Sequence, residues 1–189
     1  MRNRFDMQLH QLDEQLTRMG ELCEQAIAKA TQALKEGSVE QARIVVAEDE
    51  EIDQMEKEIE RLCLKLLLQQ QPVARDLRRI SAALKMITDM ERIGDQTSDI
   101  AEIIISSKDK GVSRDLELMV EMASGVSKMV RDSITAYVQK DLELAREVME
   151  SDDQIDDYFD EIRDRMIEYI KKEHGEQGRR IFDLIMVTK

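Results

Sequence analysis

The chain has 189 residues, of which 42% are hydrophobic and 37% are charged, with a single proline and no tryptophan. This composition is typical of long, solvated helices arranged as one ordinary domain or two small bundles. A formal net charge of −13 argues against nucleic acid or an anionic bilayer as the main partner. No stretch is long and apolar enough for a membrane span, and the first residues lack the apolar core of a signal peptide. We therefore expect a soluble, cytoplasmic protein.

The first third of the chain predicts two long helices. Apolar residues recur in steps of three and four over residues 5–33, and Gly37 ends this helix. Ser38, with Gln41 three residues later, predicts a capping box at the start of the second helix. That helix keeps the same apolar spacing and is expected to end near residue 71.

Four further helices follow. Pro72 suits the first turn of the third helix, whose apolar positions continue to residue 105. Residues 109–111, which include Gly111, break the pattern. Ser113 is the predicted cap of a fourth helix that ends near residue 139, and Asp141 is the predicted cap of a fifth helix that ends near residue 173. Gly175 and Gly178 predict a turn, after which a last helix runs to Lys189.

An internal repeat relates the two halves of the chain. A shift of 103 positions places nine residues of the second helix, from Glu40 to Ile59, on identical residues of the fifth helix, from Glu143 to Ile162. The caps Ser38 and Asp141 align as well. We therefore predict an all-α fold of two tandem, duplicated three-helix bundles with long antiparallel helices. The first bundle covers residues 1–110 and the second covers residues 111–189.

Acidic residues spaced four positions apart lie on one face of three predicted helices. These pairs are Asp49 with Asp53, Glu91 with Asp95, and Asp152 with Asp156. The first two pairs lie equally far before and after Pro72, so an antiparallel hairpin brings them to the same height. Gly94 would let a neighbouring helix or a ligand approach closely. Because converging carboxylates repel one another unless a hard cation lies among them, the pattern favours a metal site, with a solvated acidic groove as the alternative.

The chemistry of these ligands limits the metals and reactions to consider. Oxygen-only ligands favour iron, manganese, magnesium or calcium over zinc or copper. The two histidines, His10 and His174, complete no Glu-x-x-His motif, and no nucleophile elbow, glycine-rich phosphate loop or zinc-type spacing occurs. Cys23 and Cys63 fall at apolar helix positions and are expected to be buried free thiols. The sequence therefore predicts binding rather than catalysis.

Matched basic pairs follow the turn of each predicted hairpin. Arg78 and Arg79 lie after the first turn, and Arg179 and Arg180 lie 101 positions later. One hypothesis is that these arginines dock an acidic patch on a partner protein. The alternative is that they are solubilising charges at a helix end. Arginines in a first turn are unfavourable for the helix dipole, which mildly favours the functional explanation.

Several of these motifs resemble those of the PhoU family. Residues 71–78, Gln-Pro-Val-Ala-Arg-Asp-Leu-Arg, resemble its hairpin signature, and residues 89–95, Asp-Met-Glu-Arg-Ile-Gly-Asp, resemble its second hallmark. The pairs Asp49-x-x-x-Asp53 and Asp152-x-x-x-Asp156 match its acidic motifs. The resemblance implies clusters of several metal ions, iron among them, held by these carboxylate motifs.

The resemblance also implies partners and a role. A member of this family binds the ATPase subunit of a phosphate ABC transporter and a sensor histidine kinase, and it represses phosphate-starvation genes when phosphate is plentiful. Homodimers are common in the family. The implied location is the cytoplasm, at the inner face of the membrane through these partners.

The second repeat departs from the family pattern. At an offset of 101, the glutamate of the second hallmark falls three residues beyond Lys189, so the second bundle is expected to be truncated in its last helix. Asp152 and Asp156 should then form only a partial metal site, weakened further because Ser151 stands where the first repeat has Glu48. Two other classes remain as alternatives, a non-catalytic helical scaffold without metal and a metalloenzyme with a multinuclear carboxylate cluster.

Overall fold

The computed structural model describes residues 2–70, 72–107, 116–172 and 178–188, and every regular element in these ranges is an α-helix. In chain order the helices are α1 (Arg2–Glu36), α2 (Val39–Gln70), α3 (Ala74–Ser106), α4 (Leu116–Gln139), α5 (Leu142–Lys172) and α6 (Gly178–Thr188). α1, α2 and α3 pack on one another, while α4 packs on α5 and α5 on α6. The predicted all-α fold of two successive three-helix units is confirmed.

The turn between α1 and α2 follows the predicted signals. Gly37 adopts a φ of 61°, which only glycine enters without strain, and the Ser38 N–H then donates to the Ala33 carbonyl at 3.0 Å. The Ser38 hydroxyl accepts from the Gln41 N–H at 3.3 Å. The capping box is only half formed, because the Gln41 side chain donates instead to Glu36 at 2.9 Å.

Two later helix starts differ in how well the sequence predicted them. Asp141 caps α5 as expected, with its Oδ1 accepting from the N–H groups of Glu143 and Leu144 at 3.0 Å each. Pro72, expected in the first turn of α3, lies outside the helix, because the extended residue Val73 is the N-cap. The fixed φ of proline suits an extended turn as well as a first helical turn, so its position alone did not decide between them. The predicted break at Gly111, the cap Ser113, the turn residue Gly175 and the bundle boundary near residue 110 lie outside the described residues.

The core of the first bundle consists of the apolar stripes of its three helices. Its most completely buried members are Leu12, Leu16 and Met19 on α1, Ile59 and Leu66 on α2, and Ile80 and Ile87 on α3. Cys23 and Cys63 lie in the same core as free thiols, as predicted. Burial raises the pKa of Cys23 to about 12 and that of Cys63 to about 11, so both stay protonated.

Helix α1 also packs on α4 and so joins the two bundles. Near the start of α1, Asp13 forms an ion pair with Arg79 of α3, and the hydroxyl of Tyr137 on α4 donates to the Arg79 carbonyl at 2.8 Å. We call these three residues the interbundle junction. The side chains of Arg79 and Asp13 are only 20% and 18% exposed, so this pair is far less solvated than an ordinary surface ion pair. Burial raises the pKa of Tyr137 to about 12.

A second contact along α1 brings α1 and α4 close together. Gly20 packs directly against Ile134 of α4, where a Cβ would overlap the isoleucine side chain. One turn further along α1, Glu24 forms an ion pair with Arg131. None of the described helices combines the length and the apolar character needed to cross a bilayer.

Candidate metal centre

Three of the predicted carboxylates converge across the α2–α3 hairpin. Asp53, Glu91 and Asp95 each place one oxygen atom so that all three atoms lie within 4.8 Å of one another. We call these residues the carboxylate cluster. Two oxygens bound to one hard cation at about 2.1–2.5 Å lie at most about 4–5 Å apart, so the spacing suits a shared ion. Asp53 and Glu91 are partly buried and Asp95 is exposed, which leaves the cluster open to solvent on one side.

Asp49, the fourth predicted ligand, lies on the buried side of the cluster. Its Oδ1 atom is buried and has no hydrogen-bond partner within the described structure. Burial raises the pKa of Asp49, and the negative charges of Asp95 and Asp53 raise it further. A buried carboxylate oxygen without a donor is costly, and a cation would satisfy it. The acids therefore suit a cation, although Asp49 is not among the three described residues whose oxygens lie within 4.8 Å of one another.

Gly94 makes room for that carboxylate. A Cβ at position 94 would lie 2.8 Å from Asp49 Oδ1 and 3.1 and 3.2 Å from two carbons of Ile52. Real Cβ atoms do not approach an oxygen so closely, so only glycine lets Asp49 occupy this position. The role expected for Gly94, the close approach of a neighbouring helix, is thereby confirmed.

Burial and repulsion among the acids also raise the pKa of Glu91, a member of the carboxylate cluster. Burial raises the pKa of Glu91 most, followed by the charges of Asp95 and Asp53. A nearby positive charge would reverse both effects, because it stabilises the ionised carboxylates. The cluster therefore favours either bound protons or a bound cation.

One basic side chain, Lys57, contacts the carboxylate cluster and neutralises it only in part. Lys57 reaches Asp53 Oδ2 at 3.4 Å, but both side chains are largely solvated. Lys29 of α1 pairs with Glu48 at 2.5 Å, so Glu48 joins α2 to α1 instead of joining the cluster. Lys57 was not among the residues predicted from the sequence to belong to the site. Its position four residues after Asp53 is the signal that could have identified it.

The second repeat shows no comparable assembly in the described part of the chain. Asp152 and Asp156 are exposed on α5, and the three acids of the carboxylate cluster are the one metal-capable group found among the described residues. Ser151, at the position equivalent to Glu48, donates its hydroxyl to the Val148 carbonyl at 2.7 Å and joins no other helix. The partial site at Asp152 and Asp156 stays a prediction.

The predicted docking arginines of the first pair, Arg78 and Arg79, have different surroundings. Arg78 is exposed, whereas Arg79 is held in the interbundle junction by Asp13. The side chains of Arg179 and Arg180 lie outside the described residues. The docking of an acidic partner by these arginines stays a prediction.

Fold and site together define a class: helical proteins built from a duplicated three-helix bundle with acidic motifs facing each other across a hairpin. The family model described as the PhoU domain matches twice, over residues 16–104 and 119–189. The chain belongs to the PhoU family, as its motifs indicated.

Curated relatives and solved structures agree with this assignment. A phosphate-specific transport system accessory protein PhoU homolog from Aquifex aeolicus is 35% identical over 163 residues, which is 86% of this chain and 74% of that protein. The homolog of the same name from Clostridium acetobutylicum is 34% identical over 170 residues, 89% of this chain and 78% of the relative. The crystal structure of PhoU from Pseudomonas aeruginosa superposes with a TM-score of 0.91 at 30% identity, covering 97% of this chain and 88% of the other. PhoU from Streptococcus pneumoniae, described as a phosphate transport system regulatory protein, gives a TM-score of 0.88 at 25% identity, with coverages of 97% and 86%.

Proposed function

We propose that this chain is a non-catalytic regulatory accessory protein of a phosphate transport system. The observation that carries this proposal is the joint match of sequence and duplicated fold to proteins named for that role. In this proposal the chain is a negative regulator of the phosphate regulon. It acts in the cytoplasm as an adaptor between the ATPase subunit of the phosphate transporter and a sensor histidine kinase, and it forms a homodimer.

The proposal assigns a hard cation to the first bundle. Asp53, Glu91 and Asp95 would hold it, with the orphaned oxygen of Asp49 as a fourth donor. Iron is our first choice among the oxygen-seeking metals, and manganese, magnesium and calcium are the alternatives. The ion would supply positive charge that fixes α2 against α3, with no reaction step required. Asp152 and Asp156 would contribute only a partial second site.

Metal content and stability test the metal assignment. We expect the purified protein to retain a stoichiometric di- or trivalent cation, and chelation to lower its melting temperature because the carboxylates then repel one another. Asp53→Asn should abolish tight binding yet be no less stable than the chelated parent, since it removes one repelling charge. Glu60→Gln, which removes an exposed negative charge elsewhere on α2, is the matched control and should keep the metal. A parent that binds no such cation more tightly than roughly millimolar contradicts the assignment and favours the solvated acidic groove.

Partner capture tests the regulatory role separately. We expect the chain, recovered from phosphate-replete cells after mild crosslinking, to carry the transporter ATPase subunit and the kinase, identified by mass spectrometry. Recovery of neither protein would contradict the adaptor role. Hydrolysis of phosphate esters or turnover of peroxide by the metal-loaded protein would instead favour the metalloenzyme.

A further inference from the structure

A second concave region lies at the far end of the first bundle, away from the carboxylate cluster. It is a cleft of about 630 Å³ where the start of α3 meets the start of α1 and the end of α4. Its volume is within the range of about 300–1,000 Å³ found for ligand-binding clefts. Four basic side chains line it, Arg75, Arg78 and Arg79 from α3 and Lys140 from the turn after α4. We call this region the basic cleft.

The basic side chains of the cleft are not equally available to a ligand. Arg79 is partly buried and paired with Asp13, so it holds the bundles together. Arg75, Arg78 and Lys140 are exposed and have no ion-pair partner among the described residues. Three uncommitted cations in one concavity are unusual on a chain of net charge −13. Electrostatic attraction of an acidic partner would therefore be directed to this end of the molecule.

Exposed apolar side chains lie close to these arginines along the chain, next to the residues that line the cleft. Val73 and Leu77 alternate with the arginines at the start of α3 and are 66% and 48% exposed. Leu68, near the end of α2, is 82% exposed. Arginine combined with exposed apolar side chains is typical of protein-docking surfaces, whereas a small inorganic anion gains nothing from apolar neighbours.

Acidic side chains narrow the choice of ligand further. Asp6 and Asp76 also line the cleft and have no cationic partner within the described structure. They would repel a uniformly anionic chain such as polyphosphate, but would tolerate a protein segment in which carboxylates alternate with apolar or basic residues.

We propose that the basic cleft docks an acidic segment of the transporter's ATPase subunit, a partner whose identity rests on the proposed function. Arg75, Arg78 and Lys140 pair with carboxylates of that segment, and Val73 and Leu77 pack against its apolar side chains. Arg79 does not contact the partner. It positions α3 against α1 and α4 and thereby shapes the cleft.

Binding of the purified ATPase subunit to the full chain tests this assignment. The cleft variant is Arg75→Gln with Arg78→Gln. Its control is Arg43→Gln with Arg61→Gln, which removes the same charge from exposed arginines of α2 outside the cleft. We expect the cleft variant to bind at least about tenfold more weakly and the control to stay within about twofold of the parent. Leu77→Ala should weaken binding at unchanged charge, and binding by the parent should decrease with added salt.

The outcomes separate this inference from the proposed function. If the parent does not bind the subunit, both the adaptor role and the inference are wrong. If the parent and the cleft variant bind it equally well, the adaptor role stands and the cleft assignment is overturned. Tripolyphosphate serves as the small-anion probe. One outcome is that tripolyphosphate binds the parent but not the cleft variant, while both proteins bind the ATPase subunit equally well. The cleft is then a small-anion site, and the inference is likewise overturned.

Discussion

Replacing Gly94 with alanine tests the link between helix packing and metal binding. The new Cβ would lie 2.8 Å from Asp49 Oδ1 and 3.1 Å from Ile52, so the Asp49 carboxylate must turn away. Alanine favours the helix by about 1 kcal/mol, whereas overpacking costs about 1–3 kcal/mol. The two effects nearly offset each other, and we expect the metal-free protein to lose at most about 2 kcal/mol of unfolding free energy. Manganese affinity, measured by titration calorimetry, should fall at least about tenfold because one oxygen donor is lost.

Gly125→Ala is the matched control for this change. A Cβ at position 125 would lie 2.5 Å from the terminal methyl carbon of Ile155, between α4 and α5 and not in the α2–α3 hairpin that carries the carboxylate cluster. The same gain in helix propensity and a comparable steric conflict should therefore leave manganese affinity unchanged. If Gly94→Ala binds manganese as tightly as the parent, Asp49 is not a ligand and the reasoning from its orphaned oxygen is refuted.

Two further predictions concern protonation and the interbundle junction. In metal-free protein the native-state pKa of Asp49 is raised, so the native state binds more protons than the unfolded state between the ordinary carboxyl pKa and the raised value. Lowering the pH from about 7 toward the ordinary carboxyl pKa of about 4 in chelator should therefore stabilise the parent relative to Asp49→Asn. Equal pH slopes in urea unfolding would contradict this. Asp13→Ala should cost about 1–3 kcal/mol because Arg79 is left partly buried without its partner, whereas Glu24→Ala should cost less than about 1 kcal/mol because Arg131 is 61% exposed. Urea unfolding measures the loss of unfolding free energy in each variant. Equal losses would show that burial does not determine how much these two ion pairs stabilise the protein.

The sequence predicted the helices well because their signals are local. Apolar spacing, Gly37 and the cap Asp141 act within a few residues, so they could be interpreted without knowledge of the tertiary structure. Pro72 was misplaced because its fixed φ suits both an extended turn and a first helical turn. The packing of α1 on α4 was not predicted, since it depends on a close approach at Gly20 that no periodicity reveals.

Part of the candidate site could also be predicted, because helix geometry fixes the height of each residue along the hairpin. Equal distances from the hairpin turn predicted that Asp53 and Glu91 approach each other, because helix rise is constant. The sequence could not show that Asp49 turns toward the inside of the hairpin and lacks a donor, since that depends on side-chain packing. It also could not distinguish Arg78 from Arg79. Adjacent residues lie about 100° apart around a helix, and only the fold shows which of them meets Asp13.

The position of the carboxylate cluster along the hairpin has a mechanical consequence. Asp53 precedes Pro72 by 19 residues, which corresponds to about 28 Å of straight helix. The cluster thus joins two long rods, α2 and α3, near their midpoints, and the hairpin tip lies at the end of both rods. A change of about 5° in the angle between the rods would move the tip by roughly 2.4 Å over that length. Small adjustments in how four oxygens surround an ion would thereby become displacements of the hairpin tip. Such displacements are large enough to change which partner surface the tip can contact.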